Sequence, residues 1–213
     1  MFFLALTPLF VRFSEFAERL SDLRDASIVE KTAQARDLIG RLQTDAIPLA
    51  CAILSGEPIG ERRRIPPTVV KRALSVASGM SLLDLRKLLR VYGDLPKVSQ
   101  TAMAHRTQST FSKVETSVLA VLSRCEELLR DDPPPERMIS SVAGIMASLN
   151  SAGARLLTQI LLGEYSAYVS ESELAGVVAD RLECSAIEIQ HDARTKGWKD
   201  TISGVIQKSP GTA

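Results

Sequence analysis

Residues Leu161–Ile206 read LLGEYSAYVSESELAGVVADRLECSAIEIQHDARTKGWKDTISGVI, and an earlier stretch follows the same plan. That stretch is Ile53–Gln100, ILSGEPIGERRRIPPTVVKRALSVASGMSLLDLRKLLRVYGDLPKVSQ. In both, an apolar helix ends in Gly-Glu, at Gly56-Glu57 and at Gly163-Glu164, and a polar loop follows. An amphipathic helix rich in Val, Leu and Ala comes next. A serine, Ser81 or Ser185, then opens a second helix with an acid three residues on, Asp84 or Glu188. The unit closes at Tyr92-Gly93-Asp94 or Lys196-Gly197-Trp198. Ser81 and Ser185 are 104 residues apart, and so are Gly93 and Gly197. Internal self-similarity sets an architecture before any single motif does. Here it predicts one domain over residues 1–207, built of two helical halves (1–104 and 105–207) that face each other across a pseudo-twofold, with 208–213 as a flexible tail.

Outside the repeat the pattern stays helical. Phe10, Phe13, Phe16-Ala17, Leu20 and Leu23 recur at three- and four-residue spacing, the apolar stripe of a first helix. The leading MFFLALTPLFV lacks the basic start and small-residue cleavage site of a secretory signal, so a cytoplasmic setting is expected. Ser27–Leu42 and Ala46–Leu54 give the second and third helices. Pro66-Pro67 suits the first turn of a helix running to Ser78, because proline lacks an amide that would be unpaired there. Helices over Leu82–Val91 and Gly93–Ala104 follow, then a long one over Lys113–Leu129. Asp131–Pro135 reads as a rigid mid-chain break, ahead of a hairpin of Pro135–Leu149 and Ala152–Leu162. No alternating β-branched run stands between turns, so the fold class is all-α, with about ten to twelve helices.

Composition narrows the function classes. At 213 residues and 45% hydrophobic, the chain can bury a core without metal or disulfide staples. A formal net charge of +1 means that any nucleic-acid footprint must be local. Cys51, Cys125 and Cys184 are far apart in apolar helical contexts and read as small buried hydrophobes. Neither they nor His105 and His191 have metal-ligand spacing, so no cofactor or metal is expected. No segment reaches the roughly 18 uninterrupted apolar residues of a membrane span. No nucleophile–base order, paired-carboxylate site or phosphate-binding glycine loop can be assembled, and the chain reads as non-catalytic.

Several segments then carry a resemblance by their order: FSEFAERLSDL (13–23), IPLACAILSGE (47–57), VVKRALSVASG (69–79), VYGDLPKVSQTA (91–102), and RLLTQILLGE (155–164) followed by VSESELAGVVAD (169–180). The arrangement resembles the N-terminal DNA-binding domain of ATP-dependent DNA ligases of the archaeal and eukaryotic type. The likeness runs from about Phe3 to Ile206 and is strongest at Gly93–Leu95, Leu162-Gly163 and Val169–Glu171. It implies an all-helical module that grips the minor groove around a nick, largely through phosphates, and helps the ligase close around the duplex. Helix N-termini and scattered cations suit that task. The phosphate contacts it suggests are Arg62, Arg63, Arg64 and Lys71 in the first half, with Gly163, Ser170 and Ser172 in the second. Lys97, Arg106, Lys196 and Lys199, near the closing turns, come next. A solvated surface is the competing reading of each basic group, and Trp198 reads as a core plug. Gln108-Ser-Thr-Phe111 resembles half of a clamp-binding loop, with Ser112 where a second aromatic would stand.

The chain also departs from that family. Ser166 and Tyr168 stand where the second Leu-Gly is usually followed by Arg and Gly, and Ile28 where a basic residue is expected. Ile65-Pro66-Pro67 replaces a glycine-containing turn. The Lys-x-Asp-Gly of enzyme adenylation does not occur in these residues. The expected partners are therefore duplex or nicked DNA, with a ligase catalytic domain and a sliding clamp beside it. The alternative is a helical scaffold that kept the fold and binds protein instead of DNA.

Overall fold

Every residue from Ile47 to Leu54 is apolar, so a helix through them can be buried on all sides. α3 (Ile47–Ser55) is that helix, and all eight of those residues are buried. The computed structural model describes residues 11–60, 64–106, 116–164 and 166–208. Ahead of α3 run α1 (Phe13–Asp25), α2 (Ile28–Arg41) and a 3-10 turn over Thr44–Ala46. After it come α4 (Pro67–Ser78), α5 (Leu82–Tyr92), α6 (Leu95–Ala104), α7 (Val118–Asp131), α8 (Pro135–Ala147) and α9 (Ser151–Leu162). α10 (Glu171–Leu182), α11 (Ala186–Lys196) and α12 (Trp198–Lys208) complete the chain. Among the described residues there is no strand, only one isolated antiparallel bridge between Arg12 and Ser117. The protein is all-α.

Local chemistry sets the boundaries. Ser27 and Glu30 form a capping box at α2: the Glu30 carboxylate accepts the Ser27 N–H at 2.9 Å. Ser170 and Glu173 repeat it at α10, again with a 2.9 Å bond from the cap N–H. At α5 the shorter Asp84 takes the acid's place, accepting the Ser81 hydroxyl at 2.7 Å. Two expectations need correction. The seventh helix starts at Val118, not Lys113: Ser117 accepts the Ala120 N–H as cap, and Thr116 is held outside by the Phe13 N–H bond to its carbonyl. Lys208, expected in the tail, closes α12, while 209–213 lie outside the described residues.

Pro67 and Glu171 open α4 and α10, and Leu82 and Ala186 open α5 and α11, each pair 104 residues apart. Packing is reciprocal between these segments. α6 lies along α9 while α12 lies along α3, and α4 packs on α8 while α10 packs on α2. The connecting loops exchange backbone hydrogen bonds in the same way. The Ile65 N–H donates to the Leu161 carbonyl at the end of α9 (2.8 Å), and the Tyr168 N–H donates to the Leu54 carbonyl at the end of α3 (2.9 Å). Between α6 and α9 the buried Thr158 hydroxyl meets Ser99 at 2.8 Å, so that contact satisfies two polar groups inside the core. Trp198 is 3% exposed and packs in the core, as its apolar ring favours.

Candidate nucleic-acid interface

α3 and α9 end alike. Gly56 and Gly163 take left-handed backbone (φ 79° and 67°), and the N–H of the residue after each bonds back to Ala52 and Gln159 carbonyls at 2.8 and 2.9 Å. This is the glycine-terminated helix end that satisfies the last carbonyls. The segments that follow both helices cross here. A Cβ on Gly56 would lie 2.7 Å from the Ala167 nitrogen, and one on Gly163 would lie 2.8 Å from Arg64 Nε. Glycine at 163 therefore lets the Arg64 side chain run across the end of α9. The loops expected to share a surface are in contact.

Charge is distributed unevenly between them. Arg64 is exposed, and Lys71 is half-buried in the second turn of α4; neither has a carboxylate within ion-pair distance among the described residues. The first turn of α4 carries no acid, whereas the first turn of α10 carries Glu171 and Glu173. An anion is thus favoured at the start of α4, and the start of α10 already holds its own negative charge. Ser170 and Ser172 are exposed with hydroxyls 3.3 Å apart, and the Ser170 hydroxyl also bonds Glu173 at 2.6 Å.

Glu164 sits at the crossing beside Asp94 and Arg64. Burial pushes its carboxyl above the ordinary range, Asp94 adds to the rise, and Arg64 opposes it. Glu57 holds the matching place at the other end. Its carboxylate accepts the Trp198 N–H at 2.8 Å, capping α12 from a distant loop. Burial also raises its carboxyl, against the lowering effect of that hydrogen bond, with Asp200 and Glu171 adding to the rise.

The remaining predicted contacts lie elsewhere and are engaged. Lys196 pairs with Asp192 at 2.8 Å, and Lys199 pairs with Glu126. Both line a cavity with Glu57, Glu126 and Asp200, so the lining is of mixed charge. Lys97 is exposed, 3.9 Å from Asp94. The Arg106 guanidinium donates to the Ala147 carbonyl at 2.7 Å and ties the end of α6 to that of α8. Arg62, Arg63, Gln108 and Phe111 lie outside the described residues. Of the departures, Ser166 is exposed and Ile28 is 75% exposed. Tyr168 is buried beneath Arg24, whose guanidinium carbon lies 5.7 Å from the ring centre. Sequence reasoning passed over Arg24 and Arg155, because neither belongs to a repeated loop or a basic run.

Cys51 and Cys125 are buried, with burial pushing both thiols up, Cys125 to about 12. No group of three or more metal-ligating side chains occurs among the described residues. No helix among them is long and apolar enough to cross a membrane.

The fold and its crossed loops define a class: an all-helical module with two glycine-ended helices presenting one shared loop surface. A family model described as "DNA ligase N terminus" matches residues 9–179, and the chain belongs to that family. It is 24% identical over 193 residues to DNA ligase 2 of Methanosarcina acetivorans, covering 84% of this chain and 34% of that protein. It is 24% identical over 178 residues to a DNA ligase of Archaeoglobus fulgidus, covering 80% of this chain and 32% of the relative. A DNA ligase of Methanothermobacter thermautotrophicus is 22% identical over 161 residues, 73% of this chain and 29% of its own length. The chain spans about a third of the length of these curated relatives.

Proposed function

We propose that this chain is a duplex-DNA-binding module of a DNA ligase system, holding phosphates along the minor groove without reading sequence. Nick sealing itself would be performed by a catalytic part outside these residues. The reading is carried by the crossed loops: Arg64 laid over Gly163, beside a helix start, α4, that has no acid in its first turn. Family membership supports the same reading. Residues 1–207 act as one domain, and the reciprocal bonds of Ile65 and Tyr168 support two halves related by a pseudo-twofold. A clamp contact at Gln108 and Phe111, docking with a ligase catalytic domain, and a place beside the nucleoid or in a nucleus belong to the same proposal.

Phosphate binding releases counterions, so the logarithm of affinity falls with the logarithm of salt by about 0.9 per phosphate neutralised. Replacing Arg62, Arg63 and Arg64 with alanine should flatten that slope by about two to three. An unchanged slope would remove these arginines from the interface. A protein partner is the competing reading, favoured by Ile28 and Val29, which are 75% and 80% exposed at the start of α2. It requires that duplex DNA not bind even at low salt.

A further inference from the structure

Beside the α9–α10 loop, α1, α6 and α9 enclose a shallow depression lined by Ser21, Arg24, Gln100, Arg155, Gln159 and Tyr168. No carboxylate lines it. Elsewhere Arg19, Arg36, Arg41, Arg72, Arg124 and Arg194 each hold an acid within 4.0 Å. Arg24 and Arg155 have no such partner among the described residues. Arg24 is exposed and rests on the Tyr168 ring, while among the described residues Arg155 makes a long 3.3 Å bond to the Gln100 side-chain oxygen. Two guanidiniums, two primary amides and the hydroxyls of Ser21 and Tyr168 thus share one depression, with guanidinium donors left over among the described residues. A phosphodiester, with one negative charge and only acceptor oxygens, matches that set.

We infer that Arg24 and Arg155, with Gln100 and Gln159, seat a phosphodiester of the duplex backbone beside the α9–α10 loop. The inference rests on the DNA-binding reading and names contacts for its second half. There the loop itself has Ser166 and Tyr168 in place of Arg and Gly, and α10 opens on Glu171 and Glu173. Tyr168, lost as a flexible glycine position, serves as the platform that orients Arg24.

The test is a salt titration of duplex affinity with the whole chain and two double variants. In Arg24→Gln/Arg155→Gln the slope should flatten by about one to two, as expected for up to two lost phosphate contacts. In Arg24→Lys/Arg155→Lys, which keeps the charge, most of the slope should survive. If the glutamine pair lowers the thermal midpoint too far for assay, Arg24→Gln alone, at an exposed position, should flatten the slope by about one. A wild-type chain that binds with a slope unchanged in the glutamine variants overturns this seat and leaves the DNA-binding reading standing. A wild-type chain that does not bind overturns both.

Discussion

Glu57 and Glu164 follow the two glycines that end α3 and α9, and their surroundings assign them different work. Glu57 spends its carboxylate on the first amide of α12, so charge at that position supports a helix start in the other half of the chain. Burial nevertheless holds its pKa above the ordinary 4.5, and the native state therefore keeps its proton over a pH range where the unfolded chain has lost it. The sign follows: Glu57 makes stability fall as pH rises from 4.5 through its raised pKa, and the contribution is constant above that. Comparing wild type with Glu57→Gln by urea denaturation across mildly acidic pH isolates it. The stability difference should shift against the wild type as pH rises; a flat difference would show that the carboxyl titrates normally. Glu30 and Glu173 act with the opposite sign. Serine hydrogen bonds hold their carboxyls below 4.5, so their support is complete above that value and is lost as pH falls through the depressed pKa.

At the scale of elements, the glycine-ended helices at the crossing can be tested against the glycine that ends α4. Gly56 and Gly79 both take left-handed backbone, with φ 79° and 75°. A Cβ on Gly79 meets nothing within 4 Å, whereas one on Gly56 would press on the Ala167 backbone at 2.7 Å. Gly79→Ala should cost about 1–2 kcal/mol, the price of the left-handed conformation alone. Gly56→Ala should cost a further ~1–3 kcal/mol, because the crossing loop must move. Equal losses in thermal or urea denaturation would mean the loop crossing yields freely. Element order was legible in the sequence because caps, prolines and glycines punctuate it: Ser81, Pro67 and Gly56 each stand where they were expected to act. The start of α7 was not, because it depends on a tertiary bond from Phe13 to Thr116, 103 residues along the chain, which no local pattern records.

For the whole molecule, the sequence showed the two loops but not how they cross, and that crossing makes them one surface. Arg64 was legible as part of a basic run. Arg24 and Arg155 were not, because they lie far apart in the chain and meet only when α1 and α9 pack. Conversely, Arg106, Lys196 and Lys199 looked like phosphate contacts from their place after closing turns, yet folding gives each a protein partner. The surface we propose presents Arg64 and Lys71 on the α4 side, with Glu164 beside Arg64, and Arg24 and Arg155 on the α10 side. Fluorescence anisotropy of the intact chain against nicked and intact duplexes, at about 50 and 200 mM salt, tests this directly. Neutralising about six phosphates predicts binding to both duplexes that weakens on the order of a thousandfold across that range. No binding at the lower salt, or binding indifferent to salt, would contradict the account.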